Sequence, residues 1–383
     1  MIRFIKQIGI VRFCCLIVAG TTGGMRHAEA QWFSESLLSS PILVAADSNS
    51  LSLRTDICGF FKNNEYFSPI AEGQTYPGIA MTAVLNYQHS NRFRAEAGAY
   101  AVKFSGRKQL TGLQPFLSLQ YSVSPSFHIV MGNLYKGVNH RLIEPLYQWE
   151  RHFIANPESG LQLLWHSKRL FADIWIDWQR YIERNDPFPE MLTFGTSLAW
   201  QLCPPDAPFG LSIPAQLLIH HKGGQIDISD ESMIVMGNMA TGLCSRWNIN
   251  SKWLRGAGLD FYLAGYYDRY PDVSRPYRKG WGTYPVVHLN AAPFALMAGY
   301  WHGETYFAFQ GEPLFGSFNP NEPEQQIPVR HLLTVKFSFE KALYECVFIG
   351  AQIETYSDLQ QGKTDYSFGI HLRLNRNFFL KRL

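Results

Sequence analysis

The stretch Arg94-Ala95-Glu96-Ala97-Gly98-Ala99-Tyr100-Ala101 has small apolar side chains at every odd position and mostly polar or larger ones at the even positions. Residues 192–201 repeat this alternation with the apolar side chains at even positions. A β-strand places successive side chains on opposite faces, so each stretch predicts a strand with one apolar face and one polar face. Such runs restart from about Leu51 to Phe379, a pattern typical of a membrane barrel with lipid outside and water inside.

The first thirty residues have the form of a secretory signal peptide. They begin with a basic segment, continue with an apolar stretch over residues 13–20 that is too short to span a membrane as a helix, and end in Ala28-Glu29-Ala30. We therefore predict a signal peptide over residues 1–30, a short periplasmic leader over residues 31–49 and a single transmembrane barrel domain over residues 50–383.

Composition argues against a nucleic-acid partner. The chain of 383 residues has 34 basic and 31 acidic residues, and removing residues 1–30 takes away four basic residues and one acidic residue. The remaining chain carries no formal net charge, so its charge gives no reason to expect nucleic-acid binding. Charged residues make up 17% of the chain, against roughly a quarter in soluble domains.

The predicted fold is an all-β, transmembrane, antiparallel up-and-down β-barrel of about 16 strands, with 14 and 18 strands left open. Connections between the strand-like segments are alternately short and long, as periplasmic turns and outer loops are in such barrels. The segments begin near Leu51, Gly78, Arg92, Thr111, Phe127, Gly160, Leu170, Met191, Phe209, Met233, Ala257, Gly280, Pro293, Ile327, Leu343 and Asp365.

Two residue types refine this prediction. Tryptophans near the predicted strand ends indicate two aromatic belts at the membrane interfaces, and these are Trp165, Trp200, Trp247, Trp178, Trp281 and Trp301. Pro115, Pro214 and Pro285 lie inside predicted strands, where each removes a donor from the hydrogen-bond ladder, so they argue against those strands or mark bulges.

The whole pattern resembles a porin-type outer-membrane barrel of the Gram-negative envelope. The segment Phe60-Phe61-Lys62-Asn63-Asn64-Glu65-Tyr66, followed by Gly73 and Tyr76-Pro77-Gly78, is similar to envelope barrels of Bacteroidetes. In sixteen-stranded general porins the loop after the fifth strand folds inward, so the resemblance implies that residues 136–159 narrow the pore. The charged residues of this predicted constriction loop are Arg141, Glu144, Glu150 and Arg151. An outer loop packed on the rim remains the alternative, and residues 303–326 are a second candidate plug.

In each predicted strand, the residues on the face opposite the apolar side chains are predicted to line the pore. They are Arg54, Asp56, Arg94, Glu96, Asp173, Asp177, Asp260, Arg330, Lys336, Glu354, His371 and Arg373. Because the first and last strands must pair to close a barrel, Arg54 should lie near His371 and Arg373 and form a basic wall. Such a wall would orient polar solutes in a narrow channel. The alternative is that these residues pair with one another for stability.

The sequence contains no recognisable catalytic motif, and we expect no enzyme activity, no catalytic residues, no cofactor and no metal site. The cysteines at positions 58, 203, 244 and 346 are scattered singly, so their pairing cannot be assigned. An acyl hydrolase would need a Ser–His–Asx cluster on the outside of the barrel at the outer leaflet.

The leading hypothesis is therefore a porin-like outer-membrane channel of a Gram-negative bacterium that passes small polar solutes passively. The alternative is a structural or ligand-binding barrel with a closed lumen and functional outer loops, and a lipid-acting enzyme is a third hypothesis. Expected partners are outer-membrane lipid, lipopolysaccharide and small polar solutes, with a homo-oligomer also open.

Overall fold

The computed structural model describes residues 48–135, 138–155, 157–204, 207–249, 251 and 253–383. The predicted signal peptide, residues 1–30, and residues 31–47 of the predicted leader lie outside the described residues.

Sixteen antiparallel strands close into one barrel, which confirms the predicted fold class and the strand count. The barrel strands are β1 Ser50–Glu65, β2 Thr75–Gln88, β3 Phe93–Phe104, β4 Gly112–Ser124, β5 Phe127–Asn133, β6 Ser159–His166, β7 Leu170–Arg180, β8 Met191–Gln201, β9 Phe209–Lys222, β10 Ile234–Asn248, β11 Gly256–Asp268, β12 Lys279–Ala291, β13 Phe294–Glu304, β16 Val329–Tyr344, β17 Val347–Asp358 and β18 Lys363–Arg382. Strands β14 Phe318–Asn319 and β15 Glu322–Gln326 form a separate two-stranded sheet, so β13 pairs with β16.

Helical structure is confined to connections. One helical turn, α1, spans Arg151–Ile154, and single 3-10 turns occur at Val138–Arg141 and Pro313–Phe315. Among the described residues, no helix is both long and apolar enough to cross a membrane.

The barrel closes between its first and last strands. Strand β1 pairs with β18 from Ser50, which faces Arg382, to Glu65, which faces Tyr366, with one register shift between Leu51 and Ser52. Sixteen residues of β1 thus take part in this seam.

Alternation along each strand separates lipid-facing from interior side chains. On β4, Leu113 and Leu117 are 65% and 60% exposed, whereas Phe116 and Ser118 between and beside them are buried. Charged side chains such as Asp260 and Arg330 are completely buried on the interior face. An apolar exterior around a polar interior is the arrangement expected of a barrel in lipid.

The tryptophan prediction is correct in part. The side chains of Trp165, Trp200, Trp247, Trp178 and Trp281 are all substantially exposed, as belt residues should be. Trp301, however, points into the barrel and is fully buried against Tyr284, Tyr306 and Phe315. Its assignment to the outer belt was wrong because its parity on β13 places it on the interior face.

The barrel wall is lower at β5 and β6 than on either side. The pairing of β4 with β5 stops at Ser118, although β4 remains paired with β3 as far as Gly112. Likewise, β6 pairs with β7 only as far as Asp177, although β7 continues to Arg180. We call this the wall gap, bordered by residues 112–116 of β4 and residues 178–180 of β7. It lies in the outer half of the wall, opposite the rim that carries the short turns.

The three strand prolines lie where the ladder is interrupted on one side. Pro115 is in the part of β4 that borders the wall gap and pairs only with Ala99 of β3. The ladders skip Pro214 on the β10 side and Pro285 on the β13 side. A missing backbone donor is tolerated at such positions, so these prolines are compatible with the strands they occupy.

The cysteines contribute no covalent link. All four in the described part of the chain, Cys58, Cys203, Cys244 and Cys346, are free thiols.

Candidate functional site

Two long connections fold into the barrel and fill its outer half. Inner loop 1 (residues 134–158) joins β5 to β6, and inner loop 2 (residues 305–328) joins β13 to β16 and contains β14 and β15. Their buried apolar residues form one cluster with interior wall residues, and the loop members include Leu142, Ile143, Leu146, Tyr147, Tyr306, Phe307, Leu314, Phe315 and Phe318.

Backbone and side-chain hydrogen bonds join the two loops directly. The Gln148 amide donates to the Gln310 carbonyl at 2.7 Å, and the Glu312 amide donates to the Glu144 carbonyl at 3.0 Å. The Tyr306 hydroxyl donates to the Pro145 carbonyl at 3.0 Å. The loops therefore form a single plug.

A buried network of charges fastens this plug to the wall. Lys62 Nζ of β1 lies 2.7 Å from Glu150 Oε1 of inner loop 1 and 2.8 Å from Glu354 Oε2 of β17. Lys336 of β16 lies 2.9 Å from Glu354 Oε1 and also pairs with Glu144 of inner loop 1. Buried ions need such partners because each loses its hydration.

Negative groups outnumber positive ones in this region. Glu312 of inner loop 2 interacts electrostatically with Glu150, Glu144, Lys62 and Glu354, which makes four carboxyl groups for two lysines. In the described structure, Glu144 Oε2, Glu150 Oε2 and Glu312 Oε1 are buried without a hydrogen-bond partner. These residues, with Lys336, form what we call the central network.

Burial and the neighbouring carboxylates favour protons on this network. Burial raises the pKa of Glu312 well above its ordinary value, and the charges of Glu150 and Glu144 raise it further, against the opposing effect of Lys62. Burial also raises the pKa of Glu144, although Lys336 lowers it. The central network therefore favours a proton on Glu312.

His140 anchors inner loop 1 to the opposite wall. Its Nδ1 lies 2.8 Å from Asp173 Oδ2 and its Nε2 lies 2.7 Å from Glu158 Oε2, while its ring stacks on Trp175. Burial alone would lower the pKa of His140, but Asp173 and Glu158 outweigh it and raise the pKa to about 10. His140 is therefore a buried cation at neutral pH, and its left-handed backbone (φ 52°) is held by these contacts.

The residues predicted to line the pore all belong to strands, and most of them pair with other side chains. Arg54 Nε donates to Glu96 Oε1 at 3.0 Å, and Arg373 Nε donates to Asp56 Oδ1 at 2.7 Å. The predicted basic wall is therefore largely neutralised. Sequence parity shows which side chains point inward but does not show which of them meet.

Most of the remaining predicted pore residues are also bonded. Arg94 donates to Gln120 at 2.7 Å, and Arg330 donates to Asp358 at 2.7 Å. Asp260 accepts from Arg246 at 2.6 Å and lies 2.8 Å from His288. Asp173 accepts from Gln162, and Asp177 accepts from the Ser159 amide. Lys336 and Glu354 pair within the central network, and His371 lines the cavity described below. A role of these residues in solute passage stays a prediction.

The residues predicted for the constriction loop are packed within the plug or against the wall. Glu144 and Glu150 belong to the central network. The Arg141 guanidinium lies 3.8 Å from the centre of the Phe171 ring, and that of Arg151 lies 5.2 Å from the Tyr147 ring.

A hydroxyl–imidazole pair lies beside the wall gap. Thr193 Oγ1 of β8 is 3.2 Å from His220 Nδ1 of β9. Gln179 and Gln310 donate to the same Thr193 oxygen at 3.1 and 3.0 Å. Because both amides donate, the hydroxyl proton is left to point at His220, which is the arrangement of a nucleophile and its base.

This pair is covered by inner loop 2. Both side chains are buried, and the His220 ring stacks on Phe309 at 3.6 Å between centroids. Sequence reasoning missed Thr193 because no known motif places a threonine at this distance from a histidine. It also missed Lys62, although the even position of Lys62 on β1 places its side chain inside the barrel. Strand parity alone could have found Lys62.

The outside of the barrel carries a different polar trio at the outer end of β1 and β2. The Thr75 hydroxyl donates to Asn63 Oδ1, and Asn63 Nδ2 donates to Glu65 Oε1 at 2.7 Å. In the described structure no imidazole hydrogen-bonds to these three residues, so the trio has no general base of the kind that the sequence criterion required.

A cavity of about 160 Å³ lies between inner loop 1 and the interior face of β1, β2, β3, β4 and β18. Phe116, on the part of β4 that borders the wall gap, lines it together with Leu134 and Pro157, where inner loop 1 leaves and rejoins the wall. Tyr100, Phe153, Trp149 and Ala80 add apolar surface, while Arg54, Asp56, His371 and Arg373 supply a charged end.

The chain belongs to the Lipid A 3'-O-deacylase-type family, whose model matches residues 43–383. No curated protein shows significant sequence similarity to this chain.

Solved structures with a similar fold are outer-membrane proteins. The loop L8 deletion mutant of OmpT from Vibrio cholerae aligns with a TM-score of 0.50 and 10% identity over 85% of this chain and 99% of its own. OprD from Pseudomonas aeruginosa aligns with a TM-score of 0.49 and 8% identity over 88% and 98% of the two chains. At such identities the similarity shows the fold alone, and the protein is an outer-membrane barrel with a porin-like architecture.

The family assignment corrects one expectation from the sequence. We expected no enzyme activity because no catalytic motif was present, but the matching family is one of lipid A 3'-O-deacylase-type enzymes. The expectation was wrong because groups that converge from separate strands leave no short sequence motif.

Proposed function

We propose that this protein is an outer-membrane acyl hydrolase that removes an ester-linked acyl chain from a lipid A-type molecule of the outer leaflet. The observation that carries the proposal is the position of the Thr193–His220 pair beside the wall gap. Gln179, which bonds to Thr193, belongs to the end of β7 that borders this gap. A lipid that entered from the side would reach the pair without passing through the outer rim.

The pair supports a two-step hydrolysis. His220 Nδ1 would take the hydroxyl proton as Thr193 Oγ1 attacks the ester carbonyl, and the sugar oxygen would leave with that proton as the ester bond breaks. Water, activated by the same imidazole, would then release the fatty acid and restore the hydroxyl.

Neighbouring donors would stabilise the charge of the tetrahedral intermediate. The side-chain amides of Gln179 and Gln310 donate to Thr193 Oγ1 and would turn to the carbonyl oxygen of the ester as the hydroxyl attacks. Donors at the position of the developing oxyanion commonly supply a large part of catalysis.

Mass spectrometry of lipid A tests the proposal. Cells that express the full chain should contain lipid A lacking one ester-linked acyl chain, and cells that express Thr193→Ala at the same level should contain intact lipid A. Unchanged lipid A with the wild-type chain, folded in the outer membrane, would refute the proposed reaction.

Passive passage of small polar solutes is the second candidate function. Charged residues at one end of the cavity favour it, and the packed plug opposes it. Single-channel conductance of the refolded protein distinguishes the two, because discrete current steps at neutral pH require an open path through the plug.

A further inference from the structure

We infer that the cavity behind the wall gap is a binding pocket for the end of a lipid acyl chain that enters the barrel sideways from the outer leaflet. This inference rests on the proposed function for its place in the reaction, but the pocket can be tested without any hydrolysis.

The lining of the cavity fits a hydrocarbon chain. Phe116 lies on the part of β4 that has no neighbour on the β5 side, so the cavity is bounded by the edge of the gap itself. Tyr100 and Phe153 are largely buried within the barrel and complete an aromatic surface. Burying a chain against such groups removes apolar surface from water.

The surroundings of the gap identify a membrane lipid as the occupant. Leu113 and Leu117, on the outward face of the same β4 segment, are strongly exposed and therefore contact acyl chains in the bilayer. The acyl chains of the bilayer surround the barrel wall at the level of these residues. A chain that left the bilayer beside this segment of β4 would meet Phe116, which lines the cavity.

The charged end of the cavity limits how far the chain can go. Arg54, whose guanidinium lies 5.6 Å from the centre of the Phe116 ring, pairs with Glu96, and Arg373 pairs with Asp56, so two ion pairs bound the pocket. The volume of about 160 Å³ resembles that of a dry cavity, roughly 150 Å³, that accepts benzene. The pocket therefore holds the last carbons of a chain, not its whole length.

Inner loop 1 connects the pocket with the proposed reaction site. Trp149 lines the cavity, and the amide of the preceding Gln148 donates to the carbonyl of Gln310, whose side chain donates to Thr193. A lipid with several acyl chains could thus place one chain in the pocket while the ester of another meets Thr193. The pocket would select for the length of the chain that is retained.

Photo-crosslinking tests the pocket. The refolded protein is placed in vesicles that contain a phospholipid with a diazirine at the end of one acyl chain, and crosslinked residues are identified by mass spectrometry. We expect crosslinks to Phe116, Leu134 or Phe153. Two results would overturn the inference. One is that crosslinks are confined to outward residues such as Leu117, and the other is that only a free diazirine fatty acid, and not the phospholipid, crosslinks to the pocket.

A matched pair of variants checks the site. Ala80→Trp fills the pocket and should reduce the interior crosslinks at least tenfold, whereas Ala83→Trp, on the opposite face of β2, should leave them unchanged. Equal crosslinking in both variants would also overturn the inference. If the pocket crosslinks appear but lipid A stays intact in cells, the pocket stands and the proposed hydrolysis falls.

Discussion

Lys62 Nζ lies 2.7 Å from Glu150 Oε1, although Lys62 belongs to the first barrel strand and Glu150 to a loop that enters the barrel beyond the fifth. Both side chains are 2% exposed. Together with the Asn64 amide, which donates to Glu150 Oε1 at 2.9 Å, this pair fixes inner loop 1 to the seam between β1 and β18.

Replacing Lys62 should loosen the plug. Lys62→Met leaves Glu150 and Glu354 without their shared partner, and removal of one member of a buried ion pair costs about 3–5 kcal/mol. We expect earlier urea unfolding in vesicles and current steps that the wild type lacks. Lys222→Met, which breaks a partly exposed pair with Glu231, should cost about 0–1 kcal/mol. Equal effects of the two substitutions would contradict this role of the central network.

The plug should be held more firmly at low pH than at high pH. The pKa of Glu312 is raised in the folded state, so the folded protein keeps a proton that an exposed Glu312 loses above its ordinary pKa near 4.5. Stability therefore falls as the pH rises above that value. Hydrogen exchange of inner loop 2, corrected for intrinsic rates, should increase between pH 6 and pH 9. Glu312→Gln should abolish the increase, and an unchanged pH profile in that variant would exclude Glu312 as its source.

His140 should add a second pH dependence with the same direction. Its pKa is raised from 6.5 to about 10, so its contribution is fully present below pH 6.5 and is lost as the pH rises through about 10. His140→Phe keeps the stacking on Trp175 but leaves Asp173 and Glu158 without a cation, and should speed hydrogen exchange in residues 140–149 already at pH 6. The exposed turn residue His89, changed to Phe, serves as the control, and faster exchange in both variants would argue against the anchor.

The proposed catalytic pair has a matched control in the same barrel. Ser122 Oγ lies 2.7 Å from His128 Nδ1, a second hydroxyl–imidazole pair, but it lies near the short-turn rim. His220→Gln should lower the deacylation rate by about 10²–10⁴, the range for loss of a general base. Lipid A mass spectra of cells with His128→Gln should match the wild type. If the His128 variant lost deacylation and the His220 variant kept it, the catalytic pair would be Ser122 and His128 instead.

The sequence was sufficient for the wall and insufficient for the interior. A period of two fixes which side chains of a strand face inward, so Arg54, Asp260 and Lys336 could be placed inside from their positions alone. Their partners could not be predicted, because Arg54 meets Glu96 across an intervening strand and Lys336 meets Glu144 through a loop. The residue type misled at Trp301, a tryptophan near a strand end whose parity on β13 nevertheless places it in the core. Thr193 and His220 are 27 residues apart, and only the pairing of β8 with β9 brings them together.

The double partnership of Lys62 has a consequence for assembly. Glu354 reaches Lys62 from β17, across the seam that joins the two ends of the chain, and Glu150 reaches it from inner loop 1. A closed wall alone would leave Lys62 with the single counter-charge of Glu354. Closing the cylinder and seating the loop therefore complete the same buried site, so the two events should stabilise each other during biogenesis.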